Sequence, residues 1–363
     1  MSQRKRQMSI APNRDTPLYT FTMAHRRRCS WTLLTALVLA PLSLTLSINP
    51  SSRSFTKPAS SPYDIRFVPA LVHLDQVSQQ YTVTVMRRLF SSQPVRAKAV
   101  NNVTLTASSE LLLLTGASDC GKSALLKLVA GSEQPVEGSV TVQSLPQASS
   151  SHNAATPPPQ PIYLDQRPIS DSIRTVGQIL RNELAKLCSK GTSSSSSQQA
   201  ALWQDVSHAL TDKLCHCLDL SKILLDSPEW MDQTTTSQLT TSEHYRLQLL
   251  IACLQSCMGN MVADAKAEAD LVLAAADCST TQSTTNKGRS SISTISFPAP
   301  VLLLDEWMDT ETTTVVQAVQ HSLVQLVDHG AVVLSATHKA DRWKTPYSRI
   351  ILSRGQLVLS SSN

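Results

Sequence analysis

Gly116-Ala117-Ser118-Asp119-Cys120-Gly121-Lys122-Ser123 sets two glycines, a lysine and a hydroxyl at the spacing of a phosphate-binding loop. The glycines let the backbone curl so that successive N–H groups face an anion. Lys122 brings a compact positive charge to the β- and γ-phosphates, and Ser123 offers a hydroxyl to Mg2+. The helix that follows turns its positive end to the same place, so Ala124 completes the cradle. Only 10 glycines occur in 363 residues, and two at these positions weigh against a casual turn. A second group, Val301-Leu-Leu-Leu-Asp305-Glu306, is an apolar run ending in two carboxylates. Asp305 would hold Mg2+, directly or through water, and Glu306 would polarise a water at the γ-phosphate. The bland alternative is a buried strand whose acids begin a helix. The chemistry requires the lysine-bearing turn and the paired acids to lie close together, and they are expected on adjacent strands.

The surrounding elements suit that demand. Leu111–Thr115 leads into the loop as a buried strand, and Ser123–Ala130 leads out as a helix. From about Phe67 the chain alternates strand-like and helix-like segments, as a mainly parallel α/β fold does. Strands are expected at 72–77, 100–106, 110–115, 138–143, 160–164, 300–304, 331–335, 349–352 and 356–359. Helical periodicity dominates a subdomain at about 168–258, clearest over 176–187, 200–218 and 243–258. Polar low-complexity tracts at about 146–159, 188–199 and 259–298 bury too little apolar area to offset their ordering entropy, and are read as surface insertions.

Charge is unevenly placed. Residues 1–60 hold nine of the 32 Lys and Arg but one of the 27 Asp and Glu, so the remainder is acidic on balance. That argues against an electrostatic nucleic-acid footprint, and no nucleic-acid partner is expected. Arg26-Arg27-Arg28 ahead of the apolar Trp31–Leu46 make residues 23–47 signal-like, and 48–64, with its Ser-rich and acid-free core over 49–61, is transit-like. Such a two-part leader over 1–64 points to an organelle, with a plastid favoured; a membrane anchor or a mitochondrial address is the alternative. The eight cysteines show no disulfide spacing, and Cys215, Cys217, Cys253 and Cys257 are expected as buried thiols rather than metal ligands. Cys120, inside the loop, is a candidate for oxidation.

Cys120-Gly-Lys-Ser-Ala-Leu-Leu-Lys-Leu-Val-Ala-Gly131, followed by Pro135-Val-Glu-Gly-Ser-Val140, resembles the first motif and next strand of the ATP-binding cassette (ABC) superfamily. With the acids at 305–306, the resemblance covers about residues 65–361. It implies a P-loop NTPase of ABC type, with a mixed sheet core, a helical subdomain and polar insertions. By the same resemblance Tyr81 would stack on adenine, Gln166 would sense the γ-phosphate and Mg2+, and His338 would contact the γ-phosphate. Asp305 and His338 lie 33 residues apart, an interval the family commonly shows. Catalysis would then rest on Lys122, Gln166, Glu306 and His338, and Mg2+ on Ser123, Gln166 and Asp305.

Two departures stand out. The family signature, Leu-Ser-Gly-Gly-Gln, clamps the γ-phosphate bound to the opposite subunit. Here Leu239 is followed by Thr240, Thr241, Ser242 and Glu243, without the glycines that permit close backbone approach. A plain helix N-cap at Thr241 or Ser242 explains those residues equally well. After Glu306 the family's Pro-Thr-Ser-Ala-Leu-Asp, which couples two subunits, is replaced by Trp307-Met-Asp-Thr-Glu-Thr312, and neither Asp309 nor Glu311 aligns with conviction. The resemblance implies an ATP-hydrolysing subunit that pairs with a second ABC-type ATPase subunit, of this or another chain, and drives a separate membrane-spanning transporter subunit. A soluble ABC-type assembly or regulatory factor is the alternative.

Overall fold

The structure is a computed structural model describing residues 63–87, 91–145, 157–165, 174–191, 197–220, 228–259 and 293–358. The proposed leader up to Pro62, Gln166 and most of the polar tracts lie outside the described residues.

Three sequence runs lack a polar side, and each forms a strand buried on both faces: β4 (Leu111–Thr115), β8 (Val301–Asp305) and β9 (Val332–Ala336). Successive side chains of a strand point to opposite faces, so such runs need cover on both. Leu111, Leu113, Leu302 and Leu304 join one core, whereas Leu112, Leu114, Val301 and Leu303 join another. The first core is closed by helices α2 (Val176–Gly191), α3 (Ser197–Cys217), α5 (Thr241–Met258) and α6 (Thr313–Asp328). The second is closed by α1 (Lys122–Val129) and an antiparallel sheet. That sheet holds β2 (Ala70–Arg87) between β3 (Ser91–Ser108) and β5 (Glu137–Ser144).

The six-stranded sheet adds β6 (Pro161–Leu164), β10 (Ser348–Ser353) and β11 (Gln356–Val358). Its order is β11-β10-β4-β9-β8-β6, parallel except for β11. The expectation of adjacent strands for the loop and the acids therefore fails, because β9 separates β4 from β8. Proximity survives for a geometric reason. Ala336 of β9 is level with Leu114 on one side and Asp305 on the other. The two strand ends thus emerge together, and α1 crosses above β9 to reach β8.

Other boundaries change as well. β1 (Tyr63–Val68) pairs in parallel with β7 (Ser293–Pro298), from Tyr63 opposite Ser293 to Val68 opposite Pro298. Tyr63 and Asp64 therefore belong to the fold rather than to a leader ending at 64, and Ser293–Pro298 is not part of a polar insertion. Phe297 and Ile65 supply the reason: both are buried against the helical core. At the second tract, α2 runs to Gly191 and α3 begins at Ser197, so part of 188–199 is helix. A short helix α4 (Pro228–Gln233) was not anticipated.

Phe297 is fully buried at 0% exposure. Phe297→Ala should lower stability by roughly 3–5 kcal/mol, read from the urea midpoint at unchanged m-value.

Candidate nucleotide site

The glycines of the loop are required by packing before any ligand is considered. A Cβ on Gly121, at φ +103°, would lie 2.0 Å from the Ala99 carbonyl oxygen of β3. On Gly116, at φ +149°, it would lie 2.3 Å from the Leu352 carbonyl oxygen of β10. The loop is wedged between those strands, and Gly355 N–H donates to the Cys120 carbonyl at 3.1 Å. Asp119 adopts φ 61°, a left-handed conformation uncommon for a residue with a side chain. Lys122 is 4% exposed, and its Nζ donates to the carbonyls of Gly116 (3.2 Å) and Ala117 (3.1 Å). The ammonium is thereby folded into the curve of residues 116–121. Cys120 is also buried, its Sγ 3.9 Å from Lys122 Nζ.

From the first turn of α1, Ser123 Oγ donates to Asp305 Oδ1 at 3.0 Å. The lysine-bearing turn and the acids are thus in direct contact across 182 residues of sequence. The other oxygen of Asp305 accepts from the Tyr163 hydroxyl. Burial, reinforced by Asp305, pushes the Tyr163 phenol upward, so it remains a donor. Tyr163 had not been anticipated, because its role depends on register. It is level with Leu303 in the β6–β8 pairing, one same-face step from Asp305. A hydroxyl and a carboxylate side by side form a hard-oxygen pair suited to Mg2+. Among the described residues no larger cluster of His, Cys, Asp and Glu suggests another metal site.

Glu306 stands at φ 50°, and its N–H donates to the Ala336 carbonyl at 2.9 Å, extending the β8–β9 ladder by one bond. His338 Nε2 lies 2.7 Å from Glu306 Oε1. Asp305, Glu306 and His338 are therefore brought together with Lys122 and Ser123 at the carboxyl ends of three strands, where open α/β sheets place ligands.

The remaining predicted residues fare differently. Tyr81 lies inside β2, opposite Ala97, rather than after an opening strand. It is 36% exposed, and its hydroxyl donates to Glu133. Burial first, and then Glu133, push that phenol up to about 12. The degenerate signature is an N-cap, with Thr240 rather than Thr241 or Ser242 in the role. Glu243 N–H donates to Thr240 Oγ1 at 3.4 Å, and Thr240 N–H donates to Glu243 Oε2 at 2.8 Å. This reciprocal capping box starts α5. The thiols of Cys215, Cys217, Cys253 and Cys257 are buried, and burial raises all four above the usual thiol range, as expected of inert core cysteines. Of the two acids weighed for coupling subunits, Glu311 accepts from Tyr245 OH at 2.9 Å and Asp309 accepts from the segment around His338.

The sequence model of the ABC transporter family matches residues 100–309, more than half of the chain. The nickel import ATP-binding protein NikE of Escherichia coli is 32% identical over 104 residues, 28% of this chain and 39% of that protein. The taurine import ATP-binding protein TauB of Burkholderia pseudomallei is 39% identical over 61 residues, 16% of this chain and 24% of that protein. The aligned stretches thus span well under half the length of these curated relatives. Among solved structures, the ADP conformation of the cassette MJ1267 matches at 12% identity and a TM-score of 0.44, covering 80% of this chain and 89% of that one. The dimeric, ADP- and phosphate-bound cassette MJ0796 matches at 16% identity and 0.43, covering 80% and 98%. On the extent of the family match, the chain belongs to the ABC transporter family as a divergent ATP-binding cassette.

Proposed function

We propose that this chain is an ATP-hydrolysing subunit that energises a separate membrane-spanning transporter subunit. The observation that carries the ATPase reading is the Ser123–Asp305 contact, which sets the phosphate loop against the acids. Lys122 and the amides of residues 116–123 would hold the triphosphate. Ser123 and Asp305 would hold Mg2+, which when bound supplies Lewis-acid polarisation and charge neutralisation at the phosphates. Glu306 would orient a water and accept its proton, and His338, against Glu306, would hold that carboxylate in place. Gln166, outside the described residues, is assigned to the γ-phosphate by its position after β6. Tyr81 offers a partly exposed ring for adenine, steadied by Glu133.

The transport reading draws on relatives named as ATP-binding proteins of nickel and taurine import. Among the described residues no helix is long and apolar enough to cross a membrane. The family's second subunit enters through the signature. Here Glu243 places a carboxylate at the N-terminus of α5, where the family has glutamine, and bulkier Thr241 and Ser242 replace glycines. A negative charge there disfavours a partner's triphosphate. We therefore assign this chain to an asymmetric pair, in which a different subunit with an intact signature completes this chain's own site.

Lys122→Ala should abolish ATP binding in equilibrium titration, whereas Glu306→Gln should bind ATP and lose hydrolysis by a hundredfold or more, an order-of-magnitude expectation. Equal ATP affinity in wild type and the Lys122 variant would refute the loop assignment. Restoring the signature with Thr241→Gly, Ser242→Gly and Glu243→Gln should raise homodimer turnover roughly tenfold. Rapid turnover by the unmodified homodimer would contradict the asymmetric pairing.

A further inference from the structure

Asp309 stands where the family pattern breaks down, yet both its carboxylate and its main chain are engaged. Its half-buried carboxylate accepts twice from the segment that carries the histidine. Thr337 Oγ1 donates to Oδ1 at 2.6 Å, and the main-chain N–H of His338 donates to Oδ2 at 2.9 Å. Its main-chain oxygen accepts from Lys339 Nζ at 2.5 Å and from Arg342 Nη1 at 3.4 Å. Thr337 Oγ1 accepts in turn from Lys339 N–H at 2.9 Å, so the segment folds around the Thr337–Asp309 contact.

Asp309 is equally fixed to Glu306. Its N–H donates to the Glu306 carbonyl at 3.1 Å, closing a turn whose first residue holds φ 50°. Trp307 and Met308, the two residues between, are buried at 3% and 5% exposure. Trp307 Nε1 donates to Gln248 Oε1 of α5 at 3.1 Å, so the turn cannot swing freely. With His338 Nε2 at 2.7 Å from Glu306 Oε1, the contacts form a closed ring. It runs from the Glu306 carboxylate to the imidazole, through the His338 backbone to the Asp309 carboxylate, and back along the turn to Glu306.

We propose that Asp309 is the positioning residue that sets His338 against Glu306, so that the chain aligns its water-activating carboxylate from within its own turn. A structural role alone would need one hydrogen bond to brace the turn. Both carboxylate oxygens instead reach across to the last residue before His338 and to the His338 amide. This inference rests on the hydrolysis reading, and its test separates the two.

In the full chain, Asp309→Ala should cut kcat for ATP by between about tenfold and a hundredfold. KM should change by less than about threefold, because orientation rather than binding is lost. The double variant with His338→Ala should be no slower than His338→Ala alone. Asp309→Asn should recover part of the loss, since its amide oxygen can accept from His338 N–H while its NH2 donates to the Thr337 hydroxyl. A second readout does not need turnover. Histidine side-chain NMR should show the His338 ring signals shifted and averaged in Asp309→Ala and close to wild type in Asp309→Asn. Unchanged His338 signals in Asp309→Ala, or fully additive losses in the double variant, would overturn the proposal. Shifted His338 signals in a protein whose wild type hydrolyses no ATP would leave the positioning role standing and remove the hydrolysis reading. Should Asp309→Ala fail to fold, Thr337→Val, which removes the hydroxyl that holds Asp309 Oδ1, supplies the comparison with Asp309→Asn: shifted His338 ring signals are expected in Thr337→Val, and an undisturbed ring there would count against the proposal.

Discussion

The level ends of β4, β9 and β8 are the constraint from which the site follows. Parallel hydrogen bonding brings Leu114, Ala336 and Asp305 to one height, so the next residues of each strand enter the same small volume. Those residues are Thr115 and the loop, Thr337 and His338, and Glu306. Slipping any strand by one residue would turn its side chains to the other face and send the following groups astray. Register is secured by burial on both faces, because Leu113, Leu114, Leu302, Leu303 and Val333 have no exposed alternative. The hydrophobic effect thus sets the geometry of the candidate site through alignment, and the polar groups at the strand ends need only short reaches.

That arrangement ties the helical layer to the chemistry. The turn after Glu306 sends Trp307 into the core, where its ring meets Tyr245 edge-on at 4.7 Å between centroids. Tyr245 and Gln248 both belong to α5, the helix that the degenerate signature begins. Tyr245 also donates to Glu311, and Arg246 Nη2 donates to the Ala318 carbonyl of α6 at 2.9 Å. A rigid shift of α5 would therefore be felt at the turn that carries Glu306 and Asp309. The replacement of the family's proline by Trp307 makes that connection apolar and broad, since an indole buries far more surface than a pyrrolidine ring.

Much of this was legible in advance. The loop, the acids and His338 are recognisable because their residue types are tied to spacing along single strands. All but four of the eleven strands among the described residues were located to within two residues at both ends; β2 (Ala70–Arg87) runs far past its expected end at 77, β3 (Ser91–Ser108) begins far before its expected start at 100, and β1 and β7, paired with each other, were missed. Neither β1 nor β7 carries enough local pattern to stand alone, and Ser293–Pro298 begins in a Ser- and Thr-rich stretch that composition assigns to an insertion. Partnership made them strands, and partnership between residues 63–68 and 293–298 leaves no local trace. The same reason hid Tyr163 and Asp309. Each acts across a strand register or a turn, so only three-dimensional placement connects Tyr163 with Asp305 or Asp309 with His338. The adjacency expected for β4 and β8 failed similarly, since sequence order says nothing about β9 passing between them.

Three carboxylates, at 305, 306 and 309, follow one another at the end of β8 without sharing a common donor set. Each is instead matched to its own donors: Ser123 and Tyr163 for Asp305, His338 for Glu306, and Thr337 with the His338 amide for Asp309. Lys122 likewise spends its ammonium on two loop carbonyls. A triphosphate bound here would offer the Lys122 ammonium anionic acceptors in place of neutral carbonyls, adding an ion-pair attraction to hydrogen bonds that are already charge-assisted. The carboxylates gain nothing from the phosphates themselves and would be driven away from them without a cation between. On the proposed reading, the placement of Asp305 beside Ser123 would favour a metal-bound triphosphate over a bare one, while Glu306 and Asp309, already partnered, would keep their alignment as the charge arrives.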